Sequence, residues 1–319
     1  MRASLRFAPV FVCLGLFAVA CGDDTGGAGG SDGSGGDSTA SNSASGTEAT
    51  TSTGEGGSGP GTGTGGEGPA ECEFPAPITV DERIQEFVTF RGTAVDADGQ
   101  PLVAEPVQVC GINICLFETT NANGEVTVAQ GEDPLDTPLF KVGDGLVRAK
   151  IGYSLPEGDE PQVDGTTIDL VDSGTALATG ASAEADGVVL TIADDAAVGL
   201  NLLEFGGAGE DTFRAAVVPS NLTDTIAPGE GFAIVVALGP HETLFCPSAA
   251  IEIPNDTDLA AGTAVEIVQQ GLEIGSYFTE YGTWERVALG HVSDDGATIV
   301  TDEGQGLPIL SSIGVRALD

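Results

Sequence analysis

Hydrophobic positions follow three different patterns along this chain. Phe7 to Ala20 is a continuous apolar run broken only by small residues. Gly22 to Ala70 contains no Val, Ile, Leu, Met or aromatic residue. From Cys72 onward, short runs rich in Val, Ile, Phe and Thr are punctuated by Gly, Pro, Asp-Gly and Asn-Gly. Helical periodicity is nearly absent from that last part, and the pattern predicts many short strands in sandwiches or barrels. The expected strands are EFVTFRGTAV, EPVQVC, ICLFETT, EVTVAQ, LVRAKIGY and TTIDLV, then GVVLTIA, TFRAAVV, GFAIVVAL, AAIEI, TAVEIVQQ, WERVALGHV and TIVTD. Asp98-Gly99, Asn123-Gly124, Asp186-Gly187 and Asp295-Gly296 are expected at turns, where a positive φ must be tolerated.

The first run has the layout of a secretory signal peptide over residues 1–20. Arg2 and Arg6 precede it, and Ala18-Val19-Ala20 offers small residues for cleavage. A membrane span needs about 20 apolar residues; this run has 14, which favours export with removal over a transmembrane anchor. The AVAC seam that ends it resembles the lipobox of bacterial lipoprotein precursors. Ala18 stands where leucine is commoner in that family. The resemblance implies that Cys21 becomes the acylated N-terminus, anchored stably by several acyl chains where one would not suffice. Ordinary signal cleavage leaving a free Cys21 is the other reading.

Residues 21–71 then read as a disordered linker. A segment so poor in apolar side chains cannot bury enough surface to offset the entropy of ordering it. As a flexible coil its 49 residues from Gly22 to Ala70 reach about 35–42 Å. Its seven acids, with no Lys or Arg, favour extension. Gly29-Gly30-Ser31-Asp32-Gly33 fits G-x-S-x-G, but that motif works only on a strained strand-to-helix turn, which such a linker does not supply.

Charge narrows the partners. Lys plus Arg total 10 against 49 Asp plus Glu, a formal net charge of −39 over 319 residues. Removal of Arg2 and Arg6 leaves 8 minus 49, or −41. A polyanion of this kind lacks the basic footprint of nucleic-acid binding and is repelled by anionic headgroups. Apart from Cys13 in the signal and Cys21, four cysteines remain: Cys72, Cys110, Cys115 and Cys246. In an oxidising compartment an even set reads as disulfides. Zinc would want C-x₂-C pairs or nearby histidines, whereas the close pair is C-x₄-C and the chain has only His241 and His291. Cys110–Cys115 is expected to close a hairpin, because four intervening residues let facing strands bring the side chains together. That leaves Cys72 with Cys246. Chain entropy assigns about 2 kcal/mol to the short loop and about 5 to the long one.

The first half has a recognisable order. FRGTAVDADGQPLVAEPVQVC followed by CLFETTNANGEVTVAQ resembles the carboxypeptidase regulatory-like domain, a transthyretin-like β-sandwich. The carrying residues are Asp96-Ala97-Asp98-Gly99-Gln100-Pro101-Leu102 and Thr120-Asn121-Ala122-Asn123-Gly124, within about Glu86 to Val171. That family's domain is an accessory module and not itself a peptidase, and no H-x-x-E motif occurs here. In the second half, GVVLTIADDAAVGLNLLEF, FAIVVALGPHETLFCPSAAIEIPN and AAGTAVEIV are similar to the ZU5-type β-sandwich of cytoskeletal and receptor scaffolds. Gly239-Pro240, Phe245, Pro247 and Ile253-Pro254 match, while Ala193-Asp194-Asp195 replaces the family's proline and glycine. The His-Phe-Ser at which some relatives cut themselves has no counterpart. The expected fold is therefore all-β: two packed β-sandwich modules, residues 72–172 and 173–319, behind the signal and linker. Trp284 precedes an alternating strand and reads as a core anchor.

No site marks the chain as an enzyme. With two histidines in the ordered part, a nucleophile with a positioned base has little to draw on. Calcium wants six to eight oxygens at one point. Glu157, Asp159, Glu160 and Asp164, and Asn255, Asp256 and Asp258, lack a D-x-D-x-D-G loop and read as solvated acidic loops. The expectation is an exported lipoprotein of the outer membrane or cell surface. It has no catalytic residues, metal or cofactor and a binding or scaffold role outside the cell. Its partners are the membrane, through the lipid on Cys21, and an extracellular ligand, polysaccharide or surface protein. A calcium-dependent adhesive module and a secreted hydrolase are the alternatives.

Overall fold

The structure, a computed structural model, describes residues 78, 83–201, 205, 207–273 and 277–318. The signal, Cys21, the linker and Cys72 lie outside the described residues. The described part belongs to one compact unit, and among its residues the only helix is a single turn.

The first half supplies β1 (Ile84–Gln85), β2 (Thr89–Val95), β3 (Pro106–Cys110), β4 (Cys115–Thr119), β5 (Glu125–Ala129), β6 (Leu135–Asp136), β7 (Leu139–Val142), β8 (Ile151–Ser154) and β9 (Gln162–Thr166). A three-stranded sheet β5-β2-β9 faces a four-stranded sheet β4-β3-β7-β8. Alternation decides the inner faces: β2 turns Phe90 and Ala94 inward and β5 turns Val126 and Val128 inward. They meet Val107, Val109, Phe140 and Ile151 in one core, with the Phe90 and Phe140 rings 5.0 Å apart between centroids. Strand β9 runs parallel to β2. Cys110 and Cys115 are direct partners in the β3–β4 hairpin, 4.0 Å apart at Cα, and form the expected disulfide.

The second half supplies β10 (Val171–Ala176), β11 (Ser182–Ala185), β12 (Val188–Thr191), β13 (Ala197–Gly199), β14 (Thr212–Val217), α1 (Thr223–Ile226), β15 (Ile234–Gly239) and β16 (Leu244–Pro254). Then come β17 (Ala264–Gln270), β18 (Trp284–Val292), β19 (Thr298–Thr301), β20 (Leu307–Ile309) and β21 (Ile313–Ala317). They form one 12-stranded antiparallel sheet along β10-β14-β15-β21-β17-β18-β19-β16-β12-β11, with β13 and β20 also pairing with β16. Its ends approach each other, β11 lying against β10 and β14. The sheet thus curls around a second core that includes Leu190, Phe213, Ile251, Ile267, Val292 and Ile299.

The two cores share β15. Every residue of IVVALG is buried. Ile234, Val236 and Leu238 face the barrel-like core, while Val235 and Ala237 join the core of the first half. A strand covered on both faces must be apolar throughout, which is why it reads as a continuous run. On the neighbouring β21, Gly314 leaves room for the Phe232 ring; a Cβ there would sit 2.3 Å from it. Phe232 packs edge-on to Trp284, ring centroids 5.1 Å apart, and Trp284 is partly buried against the first core.

Polar bonds clasp the halves as well. Gln270 Nε2 donates to the Gly152 carbonyl at 2.7 Å, and the Gly152 N–H donates to Gln270 Oε1 at 3.2 Å. The Tyr281 hydroxyl donates to the Cys110 carbonyl at 3.1 Å. Cys246, on β16, is disulfide-bonded; the Cys72 half of its expected pair lies outside the described residues.

Strand expectations held for many of the alternating runs and failed elsewhere. TTIDLV is not a continuous strand, giving only Thr166 to β9 and Val171 to β10. β10, β11 and β21 are among the strands that the pattern did not single out. In LVRAKIGY the strand begins only at Ile151, because Asp144 Oδ1 accepts the N–H groups of Leu146, Val147 and Arg148 and curls the preceding residues into a loop. Leu139–Val142 is a strand that the pattern did not single out. Gln162–Thr166, read as acidic loop, is β9.

Because β15 serves both cores, Val235→Ala and Val236→Ala are each expected to cost about 1.5–3 kcal/mol despite pointing opposite ways. Both should lower one shared melting transition in calorimetry. Two separable transitions, each moved by one variant only, would contradict the shared strand.

Candidate functional site

The chain has two lysines in 319 residues, Lys141 and Lys150. Both line the same pocket, about 550 Å³ in volume, at the junction of the two halves. Strand β7 turns Phe140 and Val142 into the first core. Leu139 and Lys141 therefore face the other way, but that face is covered by a returning segment of the second half. Leu272 and Tyr281 pack on Leu139 there. Lys141 is left 5 % exposed. Its Nζ donates to the Leu272 carbonyl at 2.7 Å and stands 4.8 Å from the centre of the Tyr281 ring. Lys150, 6 % exposed, ends the Asp144 loop. That loop docks on the second half, the His241 N–H donating to the Gly145 carbonyl at 2.9 Å. Gly145, at φ 78°, approaches so closely that a Cβ would lie 2.5 Å from His241 Cβ.

Two acids complete the polar lining. Glu242 accepts from Asn201 Nδ2 at 2.9 Å, and its other carboxylate oxygen is 3.7 Å from His241 Nε2. Glu273 is buried and accepts the Leu272 N–H at 3.2 Å and the Thr279 hydroxyl at 3.3 Å. Burial pushes its carboxyl above the usual range despite those bonds. Tyr281 is pushed up by burial and by the charge of Glu242. Apolar walls come from Phe117, Leu200, Leu244, Tyr277 and Ile309. Phe117 stands at the rim, 68 % exposed.

His241 lies against this cluster, 1 % exposed. Its Nε2 has no hydrogen-bond partner. Desolvation, then the charges of Lys150 and Lys141, hold its pKa well below the ordinary 6.5, so it is a neutral imidazole at pH 7. The other histidine is elsewhere and of another kind. His291 is half-exposed on β18, its Nδ1 2.7 Å from Asp302 Oδ1. Neither ring is hydrogen-bonded to a hydroxyl or thiol among the described residues.

The acidic stretches singled out from sequence do not converge. Among the described residues no group of three or more His, Cys, Asp or Glu is placed to hold a metal ion. Asn255 is committed to its loop: its amide donates to the carbonyls of Leu259 and Gly296, and its Oδ1 accepts the Thr257 hydroxyl. Asp159 contributes its carbonyl, which accepts the N–H groups of Val88 and Thr89. Asp164 points outward from β9. Near Trp284 a second hollow of about 420 Å³ opens beside β8 and β9, where the Gln270 amide is taken by Gly152 and the Tyr153 hydroxyl by Thr166.

Sequence reasoning passed over Lys141, Lys150, Glu242 and Glu273. The available signal was scarcity: a chain with two lysines that places one within an apolar strand, LFKV, gives that residue an unusual setting. No family model matches the chain, and no curated protein matches it, so the site rests on its geometry.

The histidine has a pH consequence. A folded-state pKa depressed below 6.5 means that the unfolded chain binds the extra proton first. The His241 contribution is complete above pH 6.5 and is lost as pH falls below it. Relative to His241→Gln, the native chain should lose up to about 1.4 kcal/mol per pH unit on acidification from neutrality. Urea unfolding across that range checks it; a stability difference independent of pH would contradict the buried neutral ring.

Proposed function

We propose that this protein is an exported lipoprotein, tethered through acylated Cys21, whose folded unit binds a ligand outside the cell without transforming it. The observation that carries the reading is the junction pocket. A clasped pair of cores holds a recessed, partly apolar cavity with a few convergent charged groups, the usual form of a small-molecule site. The three- and four-stranded sheets of residues 84–166 support the carboxypeptidase regulatory-like reading of the first half, an accessory module in that family. The binding reading is favoured over hydrolysis because acyl transfer needs a nucleophile bonded to its base. His241 instead carries an orphaned neutral ring, and His291 is bonded to Asp302 on an exposed surface. It is favoured over calcium-dependent adhesion because, among the described residues, the acidic loops bring no group of three or more carboxylates together at one point.

The tether is tested on the chain purified from membranes. Mass spectrometry is expected to find Cys21 as an acylated N-terminus. Cys21→Ser should leave the precursor unlipidated, unprocessed or soluble. An unmodified Cys21, or a mature N-terminus elsewhere, would overturn the tether. Limited proteolysis should trim residues before Cys72 and spare one core extending to the C-terminus; release of two stable halves cut near Thr175 would overturn the rigid junction.

A further inference from the structure

We infer that the open edge of β4 docks an extended, cationic segment of another protein as an added strand. The inference is independent of the junction pocket. Strand β4 ends the four-stranded sheet and has only β3 as a partner. The hairpin shows where its free backbone groups point. The Gly111 N–H donates to the Ile114 carbonyl at 2.8 Å, and the Thr120 N–H donates to the Glu105 carbonyl at 3.0 Å. Antiparallel pairs alternate between bonded and non-bonded. Between those two bonded pairs, Cys115, Phe117 and Thr119 are therefore the non-bonded residues, opposite Cys110, Gln108 and Pro106. Pro106 suits such a position, having no N–H to give. The N–H and C=O groups of the three residues point away from β3, out of the sheet edge.

Other edges are closed. The Gln270 side chain bonds both the N–H and the carbonyl of Gly152 on β8. The Tyr153 hydroxyl does the same for Thr166 on β9. At the start of β5, Asn121 does so for Glu125, through its Oδ1 and its own N–H, and the exposed side chains of β5 include no large apolar one. The ends of the larger sheet, β10 and β11, lie against each other. Strand β4 lacks the usual protections of an edge: it contains no Lys or Pro, and its register with β3 has no bulge. Phe117 stands at its centre, 68 % exposed. An added strand uses such a surface, with main-chain bonds for affinity and alternate side chains for selection.

Charge selects the occupant. From Gly92 to Phe140 the chain carries eight acids and no Lys, Arg or His. Glu118 is exposed on β4 itself, and Glu132 and Asp133 are exposed in a loop held to the hairpin tip, where the Asn113 amide donates to the Pro134 carbonyl at 2.9 Å. A second copy of the chain would bring one net charge of −39 against another. The stretch from Gly22 to Ala70 has seven acids and no large apolar side chain, so it offers this edge neither charge nor anchor. A cationic strand offers both. Paired antiparallel, as every neighbour in this sheet is, its residues opposite Cys115, Phe117 and Thr119 exchange backbone bonds with them and share the Phe117 face. The residues between share the Glu118 face. The matching segment therefore alternates apolar and basic residues.

The test uses the full chain and a capped heptapeptide alternating lysine and valine, with lysine at both ends. Three further probes accompany it: the same peptide with glutamate for lysine, one N-methylated at the valines, and one N-methylated at the two central lysines. Calorimetric titration at neutral pH is expected to give a Kd below about 100 µM for the parent peptide. The glutamate and valine-methylated peptides should bind at least about tenfold more weakly, and the lysine-methylated one within about threefold, because its methyl groups face away from β4. Phe117→Ala should weaken the parent peptide about twofold to fivefold. Glu118→Lys should weaken it at least about threefold; Glu118 is not in the lining of the junction pocket, so this variant separates the edge from the pocket. No binding of the parent peptide, or equal binding of the valine-methylated one, would overturn strand addition. Equal binding of the glutamate peptide would overturn the cationic class, and binding untouched by both variants would overturn the site. A micromolar dimer in sedimentation that is lost in Phe117→Lys would make a second copy the occupant and overturn the cationic partner.

Discussion

A strand buried on both faces is the constraint on which the rest of this molecule depends. Ile234–Gly239 has no solvent side. One set of side chains closes the barrel-like core and the other closes the core of the N-terminal sandwich. Hydrophobic burial usually stabilises one core per domain. Here the same backbone hydrogen bonds that hold β15 between β14 and β21 also fix where the first core ends. A change on either face is felt by both, because close-packed interiors transmit small volume changes. Leu272 and Tyr281 add a second clasp, packing over the outer face of β7 at Leu139.

The clasp also explains how charged side chains come to be buried in so acidic a protein. Lys141 leaves β7 on what would be the solvent face of an isolated sandwich. The returning segment encloses it, and the Leu272 carbonyl and the Tyr281 ring replace part of the lost water. Burying ions is costly unless they are paired and hydrogen-bonded. The pocket answers that cost with opposite charges in one cavity, and with a histidine whose surroundings keep it neutral. The geometry that joins the halves is therefore the geometry that makes the site.

Much of the fold was legible. Alternating runs such as PVQVC and EVTVA gave away half-buried strands, and the Asp-Gly and Asn-Gly pairs marked turns whose glycines all take φ 75°. Strand β9 was hidden because its outward residues, Gln162 and Asp164, extend an acidic stretch. Strand β7 was hidden because it is four residues long and buried on both faces, so it has no alternation to display. The pocket was less legible than the fold. Lys141 and Leu272 are 131 residues apart in sequence, and no local pattern reports a contact of that span. Cys110–Cys115 was readable because its partners are close neighbours across a hairpin.

The most direct test of the account is native-state hydrogen exchange across both halves. If β15 ties the cores into one unit, the amides of Phe140 and Val142 in β7, Val236 in β15 and Ile267 in β17 open only through global unfolding. They should share one free energy of exchange and fall together as denaturant is added. Exchange of the Phe140 and Val142 amides at a distinctly lower free energy, while Val236 and Ile267 stay protected, would show that the N-terminal sandwich opens alone and would contradict the account.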